Sequence, residues 1–232
     1  MQKRYIPLAV FFALLLVFLA HFGARLTYSV PVVTFAEETA SERKEVYLTF
    51  DDGPSTKVTG KILDVLKEKN AKATFFIVSD RVAGRKEVLR RIAAEGHTLG
   101  VHSKSHVYSE IYASDQAFIR DIDACSNVIS DVTGVVPRVY RFPGGGLSNR
   151  KHYQQIAEKK GYRVVGWNAV CGDEEIPNAS AELLLKTALK TSQGKKRIVL
   201  LCHDSASHKA TAEALPQIID EFRKEGYVFC AF

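Results

Sequence analysis

Apolar runs typical of buried strands alternate with helical patterns along this chain, and no other feature limits the possible folds as strongly. Residues 73–78 and 197–202 are short apolar runs of the strand type. Between them, apolar residues from 118 to 132 recur at steps of three and four, the spacing of a helix. About seven strands separated by helices predict an α/β domain with a parallel sheet or barrel and outer helices. We expect Pro216 in the first turn of the last helix, because proline lacks a backbone donor.

The N-terminus does not follow this alternation. Residues 6–20 are almost all apolar, Lys3 and Arg4 precede them, and the next charged residue is Arg25. This arrangement predicts a secretory signal or a single-span anchor helix, with the basic end in the cytoplasm and the rest of the chain outside. We therefore assign residues 1–36 to a signal peptide or membrane anchor with a short linker, and residues 37–232 to an exported domain. The sequence leaves cleavage and anchoring open as alternatives.

Net charge limits the partners of the exported domain. The formal charge of the whole chain is +6, of which Lys3, Arg4 and Arg25 supply three, so +3 remains for the rest. This is a mild bias toward anionic surfaces such as a bacterial cell wall. Basic residues interleaved with aromatic ones would indicate nucleic-acid binding, and the sequence lacks such a cluster. We expect a monomer that binds no nucleic acid.

The four cysteines do not form a C-x-x-C pair. They are Cys125, Cys171, Cys202 and Cys230. Cys125 falls on the apolar face of a predicted helix and Cys230 in the last predicted strand, so both are expected to be core residues. We predict no obligatory disulfide, although an exported protein could oxidise these thiols.

Two adjacent carboxylates end the first predicted strand, where residues 46–54 read VYLTFDDGP. In regular strand geometry the side chains of Asp51 and Asp52 would point to opposite faces, but a strand that ends there can relax the alternation. Like charges a few ångströms apart repel, and a nearby cation is the usual remedy. Asp-Asp-Gly-Pro is also favourable turn chemistry. Alone, the stretch is equally compatible with a turn and with a metal site.

Two histidines, His102 and His106, follow the third predicted strand. Their spacing predicts that both lie on one face of a helical turn, where both imidazoles could reach one ion. A pair of solvated histidines is the alternative interpretation of this spacing. Together with Asp51 and Asp52, the pair makes a two-histidine, one-carboxylate set. Such a set leaves positions open for water and substrate, as a catalytic Zn²⁺ requires.

Further polar residues follow later strands. Residues 141–146 read RFPGGG, whose glycines let backbone N–H groups approach a ligand, and the lack of a following Lys-Ser/Thr excludes a nucleotide loop. Arg141 beside a carboxylate would hold that carboxylate ionised. His203 ends an apolar strand, where a general acid would stand. Trp167 and Asp173 follow the fifth strand. In parallel α/β folds the chemistry collects at these carboxyl ends of the strands.

The order of these segments is that of a known family. Residues 49–54, 102–106, 141–144 and 201–204 resemble the motifs of the polysaccharide deacetylase family, also called the NodB-homology domain. The resemblance covers residues 45–232. It implies a distorted (β/α) barrel of fewer than eight strands, which we take as about seven parallel strands. It also implies metal-dependent hydrolysis of N-acetyl groups on sugar polymers.

The resemblance implies a metal and a base. Asp52, His102 and His106 look like the ligands of Zn²⁺, with other divalent metals such as Co²⁺ as alternatives. Asp51 looks like the general base, and Arg141 like the partner that keeps Asp51 charged.

The resemblance also implies an acid and a substrate pocket. His203 looks like the general acid and Asp173 like the carboxylate that orients it. The N–H group of Gly144 resembles an oxyanion donor, and Leu201 would line the pocket for the acetyl methyl group. We place Trp167 at the substrate as well.

One motif departs from the family pattern. Where the family has two aspartates and a following tryptophan, this chain has Val170 in place of the first aspartate and Glu174 in place of the tryptophan. Trp167 lies just upstream.

These observations predict an exported, membrane-associated hydrolase that deacetylates N-acetylglucosamine in peptidoglycan. Alternative substrates are N-acetylmuramic acid, chitin-like oligomers and acetylated xylan. A catalytically inactive, membrane-tethered cell-wall-binding module is a third hypothesis. The residues that an inactive member would be expected to lose are all present, and this speaks against that hypothesis: Asp51, Asp52, His102, His106, Arg141 and His203.

Overall fold

The computed structural model describes residues 43–145 and 150–232. Strands in this part of the chain are β1 (Glu45–Gly53), β2 (Thr74–Val78), β3 (Thr98–Ser103), β4 (Val139–Tyr140), β5 (Arg163–Val164), β6 (Ala169–Val170), β7 (Arg197–His203) and β8 (Val228–Cys230). Helices are α1 (Val58–Glu68), α2 (Lys86–Ala94), α3 (Tyr108–Ile111), α4 (Asp115–Thr133), α5 (Lys151–Lys159), α6 (Ala181–Ser192) and α7 (Lys209–Lys224). The predicted signal or anchor segment, residues 1–36, lies outside the described residues.

The strands form one parallel sheet in the order β5-β4-β3-β2-β1-β7-β6. One edge of β1 pairs with β7 along residues 45–51, and the other edge is divided between β8 and β2. Within the described residues, no pairing joins β5 to β6, so the path around the sheet stays open, as in a distorted (β/α) barrel. The predicted parallel α/β architecture is confirmed. The described residues form eight strands, one more than the seven predicted. The strand that the prediction missed is β6, which is only two residues long.

The core lies between the sheet and its helices. Every residue of β2 is buried, and β1 is buried along most of its length, because parallel strands are covered on both faces. The helix predicted over residues 118–132 is α4, and it ends at Gly134 with φ 74°, a left-handed cap that glycine adopts without strain. Among the helices of the described residues, none has the length and apolar composition that a bilayer span requires.

Pro216 corrects one expectation, since it lies inside α7 and not in the first turn. Its ring removes the hydrogen bond to the carbonyl of Ala212, and an interior proline costs about 3 kcal/mol relative to alanine. The helix continues because each large apolar side chain that it buries stabilises by about 1.5–3 kcal/mol. The buried apolar residues around the proline are Leu215, Ile218, Ile219 and Phe222.

Candidate active site

Asp51 and Asp52 share one cleft because the strand alternation breaks at Asp52. Asp52 has φ 74°, in the left-handed region, and the pairing of β1 with β2 shifts register between Asp51 and Gly53. Such a bulge re-aims a side chain. Gly53 is required here, since a Cβ atom on it would lie 2.2 Å from Oδ2 of Asp204. The relaxed alternation predicted for this strand end is confirmed.

His102 and His106 come together, but not on a helical turn. His102 belongs to β3, which extends two residues further than predicted, and His106 follows in a tight turn with φ 63°. Ser103 forms this turn, because its Oγ accepts the N–H of His106 at 2.8 Å and donates to Oδ1 of Asp121 at 3.2 Å. The ring centroids of the two histidines are 5.1 Å apart. The prediction that the two histidines share a helical face was therefore wrong. The expectation that both imidazoles could reach one ion is supported by the structure.

Asp52, His102 and His106 fit a divalent metal ion. Oδ1 of Asp52 lies 3.3 Å from Nε2 of His106 and 3.7 Å from Nε2 of His102. Tetrahedral zinc with bonds of 2.0–2.2 Å sets its ligands roughly 3.4 Å apart. Oδ1 of Asp52 is also buried and accepts no hydrogen bond from the described residues. Arg81 lies 3.7 Å from this oxygen, beyond hydrogen-bond distance, and a buried acceptor without a hydrogen bond is costly, so a bound cation would satisfy it.

The surroundings of His102 orient its ring and keep it neutral, as a metal ligand requires. Its Nδ1 lies 2.9 Å from the carbonyl oxygen of Arg141, so Nδ1–H donates there and Nε2 is left toward Asp52. Burial lowers the pKa of His102 to about 3, which keeps the imidazole neutral. Sequence reasoning missed Arg81, whose guanidinium donates to the carbonyl oxygen of Asp52. No motif marks Arg81.

Asp51 and Arg141 form a buried ion pair. Nη1 of Arg141 lies 2.8 Å from Oδ1 of Asp51, and the two side chains are 1% and 4% exposed. The guanidinium also donates to Oγ1 of Thr49 and to the carbonyl oxygens of Val165 and Gly166. Burial raises the pKa of Asp51, and the positive charges of Arg141 and His203 oppose that rise. Asp51 is thus a stronger base than an exposed aspartate.

His203 and Asp173 form the second charged pair of the cleft. Nδ1 of His203 lies 2.9 Å from Oδ1 of Asp173, and the backbone N–H of His203 donates to Oδ2 at 2.7 Å. Burial alone would lower the pKa of His203, but the hydrogen bond and charge of Asp173, with the charges of Asp51 and Asp52, raise it to about 9. The histidine therefore carries a proton at neutral pH. The structure thus places Asp173 beside His203 as predicted, although Val170 replaces the first aspartate of the same family motif.

The remaining predicted residues line the same cleft. Gly144 has φ 71°, and a Cβ atom on it would lie 3.0 Å from the ring of Tyr108. Among the described residues, the N–H of Gly144 has no hydrogen-bond acceptor. Leu201 is buried and Trp167 is 38% exposed, so the tryptophan is a cleft wall and not a core residue. Cleft residues that sequence reasoning did not assign are Tyr108, Phe142, Gly145, Glu174 and Glu175.

A base, a candidate metal set and a protonated histidine thus meet at the carboxyl ends of parallel strands. Oδ2 of Asp51 lies 3.9 Å from Nε2 of His102, so Asp51 borders the candidate metal set directly. His203 lines the same cleft. This is the arrangement of a hydrolase built on an α/β barrel.

Comparison with known proteins identifies the family. The family model described as polysaccharide deacetylase matches residues 38–165. The chain is 31% identical over 196 residues to a peptidoglycan-N-acetylglucosamine deacetylase of Bacillus cereus, an alignment that covers 82% of this chain and 70% of that protein. The chain therefore belongs to the polysaccharide deacetylase family, whose members are hydrolases that act on the amide bonds of N-acetyl groups.

Two further similarities concern the fold and the sugars for which relatives of this chain are named. The catalytic domain of a peptidoglycan N-acetylglucosamine deacetylase from Eubacterium rectale superimposes with a TM-score of 0.74 at 34% identity, over 82% of this chain and 88% of that one. The peptidoglycan-N-acetylmuramic acid deacetylase PdaA of Bacillus subtilis is 29% identical over 190 residues, which cover 82% of this chain and 70% of PdaA. The two relatives are named for different sugars of the same polymer.

Proposed function

We propose that this protein hydrolyses the N-acetyl groups of N-acetylglucosamine in peptidoglycan, outside the cytoplasm, and releases acetate and a free amino sugar. The observation that carries the proposal is the meeting of Asp51, the metal set and His203 in one cleft. Similarity to the deacetylases of Bacillus cereus and Eubacterium rectale supports the choice of sugar. The apolar segment at residues 6–20 supports export, with the segment either cleaved or kept as a membrane anchor.

Asp52, His102 and His106 hold the metal in this proposal, with Zn²⁺ first and Co²⁺ as an alternative. The neutral imidazole of His102 and the buried oxygen of Asp52, which accepts no hydrogen bond from the described residues, suit a divalent cation. A zinc ion there would lower the pKa of a bound water toward about 7 and polarise the amide carbonyl.

Asp51 accepts the proton of the attacking water. Its raised pKa makes it a better proton acceptor, and the contact with Arg141 fixes the carboxylate beside the metal set. A general base of this kind contributes about 10²- to 10⁴-fold to the rate. Arg141 is a positioning residue, since it acts through Asp51.

Gly144 supplies a backbone donor to the oxyanion that forms on the acetyl carbonyl. Its N–H group is free among the described residues, and one such donor contributes about 3 kcal/mol to the transition state. Leu201 and Trp167 form the apolar walls against which the acetyl methyl group and the sugar pack.

His203 donates a proton to the nitrogen of the leaving sugar amine. Amide cleavage stalls without this proton, because an unprotonated amine anion is a very poor leaving group. Asp173 keeps the imidazole protonated and oriented through its contact with Nδ1.

The test is acetate release from purified peptidoglycan by the full chain, before and after chelation and after Zn²⁺ is restored. We expect activity that chelation abolishes and Zn²⁺ recovers, and an Asp51→Asn variant that loses at least 10²-fold of the rate. Equal acetate release from wild type and the Asp51→Asn variant would rule out the proposed chemistry.

Similarity to PdaA makes N-acetylmuramic acid the second candidate sugar. Analysis of the digested glycan shows which sugar carries the free amine. Parallel assays on chitin oligomers and acetylated xylan test the other polymers. Zn²⁺ binding and glycan binding without any acetate release would instead indicate an inactive wall-binding module.

A further inference from the structure

Beside the active-site cleft, the side chains of Glu174, His203 and His208 form a second group with the chemistry of a metal site. We infer that these three residues bind a second divalent cation, and that excess Zn²⁺ inhibits the enzyme there by occupying His203. The inhibition rests on the proposed function, whereas the binding does not.

The candidate ligand atoms are close enough for one ion. One ligand atom from each of the three residues lies within 4.8 Å of the other two. Oε2 of Glu174 lies 3.0 Å from Nε2 of His208, and the two imidazole rings stack with centroids 5.1 Å apart. Zinc requires ligand separations of roughly 3.4 Å. The separation of Glu174 from His208 is close to that value, and the carboxylate of Glu174, whose side chain is 61% exposed, can rotate toward an ion that the two rings bind.

Both histidines are held as they are in metal sites. Nδ1 of His203 contacts Asp173 at 2.9 Å, and Nδ1 of His208 contacts Oγ of Ser205 at 2.7 Å. With Nδ1 engaged in this way, Nε2 is the nitrogen through which each ring would bind a metal, and at His203 the ion would have to displace the proton that Nε2 carries at neutral pH. A histidine that binds a metal usually has its other ring nitrogen fixed by a carboxylate or another polar group. The partners that orient the two rings are therefore already present.

The second group is separate from the first. Asp52, His102 and His106 come from β1 and from β3 with its following turn, whereas His203 ends β7 and His208 lies one residue before α7. The two groups share no ligand. An ion bound to the first set therefore occupies no ligand of the second. Glu174, the carboxylate of the second group, stands where the family motif has a tryptophan.

A cation bound to the second group would prevent His203 from acting as the general acid. Binding of the cation releases the Nε2 proton of His203 to the solvent, and the lone pair that then binds the cation cannot take up the proton that the leaving amine needs. Low Zn²⁺ would then activate by filling the first set, and higher Zn²⁺ would inhibit. The alternative is that Glu174 and His208 form only an ion pair at the rim of the cleft, and that bound Zn²⁺ never exceeds one per chain.

Equilibrium dialysis of the full chain against Zn²⁺, with metal and protein quantified, tests the site without turnover. We expect two Zn²⁺ per wild-type chain at saturation and one per chain for His208→Gln. His106→Gln should lose the first ion and keep the second. The matched control is His152→Gln, which removes an exposed histidine paired with Asp115 and should keep both ions. The ion retained by His208→Gln shows that this variant folds.

Inhibition by excess Zn²⁺ is measured on acetate release, with each variant compared with its own uninhibited rate. We expect half-inhibition at a Zn²⁺ concentration at least tenfold higher for His208→Gln than for wild type. One Zn²⁺ per wild-type chain, or two for His208→Gln, overturns the second site even if the protein is an active deacetylase. Two ions without acetate release leave the site in place and overturn the proposed function. Two ions with an uninhibited rate overturn the inhibitory role.

Discussion

Asp173 contacts His203 twice, once at the backbone N–H at 2.7 Å and once at Nδ1 of the ring at 2.9 Å. Oγ1 of Thr211 donates to the same carboxylate at 2.7 Å. Burial opposes ionisation of Asp173, but the hydrogen bonds and the charge of His203 outweigh it and lower the pKa of Asp173. A fixed negative charge thus lies behind the imidazole, and it both orients the ring and keeps the ring protonated.

Asp173→Asn should move the alkaline limb of the pH–rate profile to lower pH. His203 must be protonated to donate, and its pKa of about 9 means that the wild-type rate falls as the pH rises through about 9. Loss of the negative charge lowers that pKa, so the fall begins nearer neutrality. At pH 8 we expect a rate loss of about tenfold or more, within the range of a general acid. Profiles of kcat/KM from pH 5 to 10 measure the shift.

Thr211→Val is the matched control for this prediction. It removes one hydrogen bond to Asp173 and leaves the carboxylate charge in place, so the alkaline limb should stay near its wild-type position. An Asp173→Asn profile with the wild-type limb would mean that the acid is a different group.

The sequence predicted that Asp51 and His203 lie at strand ends, because each follows an apolar run long enough to recognise. It did not predict β6, whose two residues, Ala169 and Val170, belong to no such run. The turn at His106 was also missed. That turn depends on a contact between Ser103 and Asp121, which are distant in sequence.

The same limit applies to the side chains of the site. The adjacent aspartates Asp51 and Asp52 could share a cleft only if the regular strand geometry ended between them. The irregular geometry there includes Gly53, which lies against Asp204, a residue far along the chain. The motifs did not indicate the partners of His208 either. Its contact with Glu174 joins two loops that no local pattern relates.

Arg141→Met should destabilise the protein and weaken the base. Removal of one partner from a buried ion pair costs about 3–5 kcal/mol, because Asp51 would remain buried without its counter-charge. The positive charge that opposes the rise in the pKa of Asp51 would be lost, so the acid limb of the pH–rate profile should move to higher pH. Urea unfolding and the pH profile measure the two effects. Arg81→Met removes a less buried guanidinium and should cost less stability.

Zn²⁺ should stabilise the fold, provided that Asp52 is intact. An ion that binds only the folded state adds about 2.7 kcal/mol to the free energy of unfolding at a concentration 100 times its Kd. At Zn²⁺ concentrations that fill only the first set, we expect the Tm of wild type to rise with Zn²⁺ and fall with chelation, and Asp52→Asn to lose most of the rise. Asp80→Asn is the control, because that exposed carboxylate pairs with Lys104 and lies outside the metal set. An equal rise of Tm in the Asp52→Asn variant would place the ion elsewhere.

Gly145→Ala should displace Trp167 and lower activity without unfolding the protein. The added Cβ would lie 2.3 Å from the indole ring, and the φ of 62° at Gly145 is strained for alanine. Because Trp167 is the only tryptophan of the chain, its fluorescence reports the displacement directly. We expect a shifted emission maximum and a kcat/KM about tenfold lower, since the indole forms one wall of the cleft. Gly60→Ala is the matched control, because its Cβ meets open space in α1 and alanine stabilises a helix interior by about 0.5–1 kcal/mol. Unchanged emission in Gly145→Ala would show that the loop moves and the indole does not.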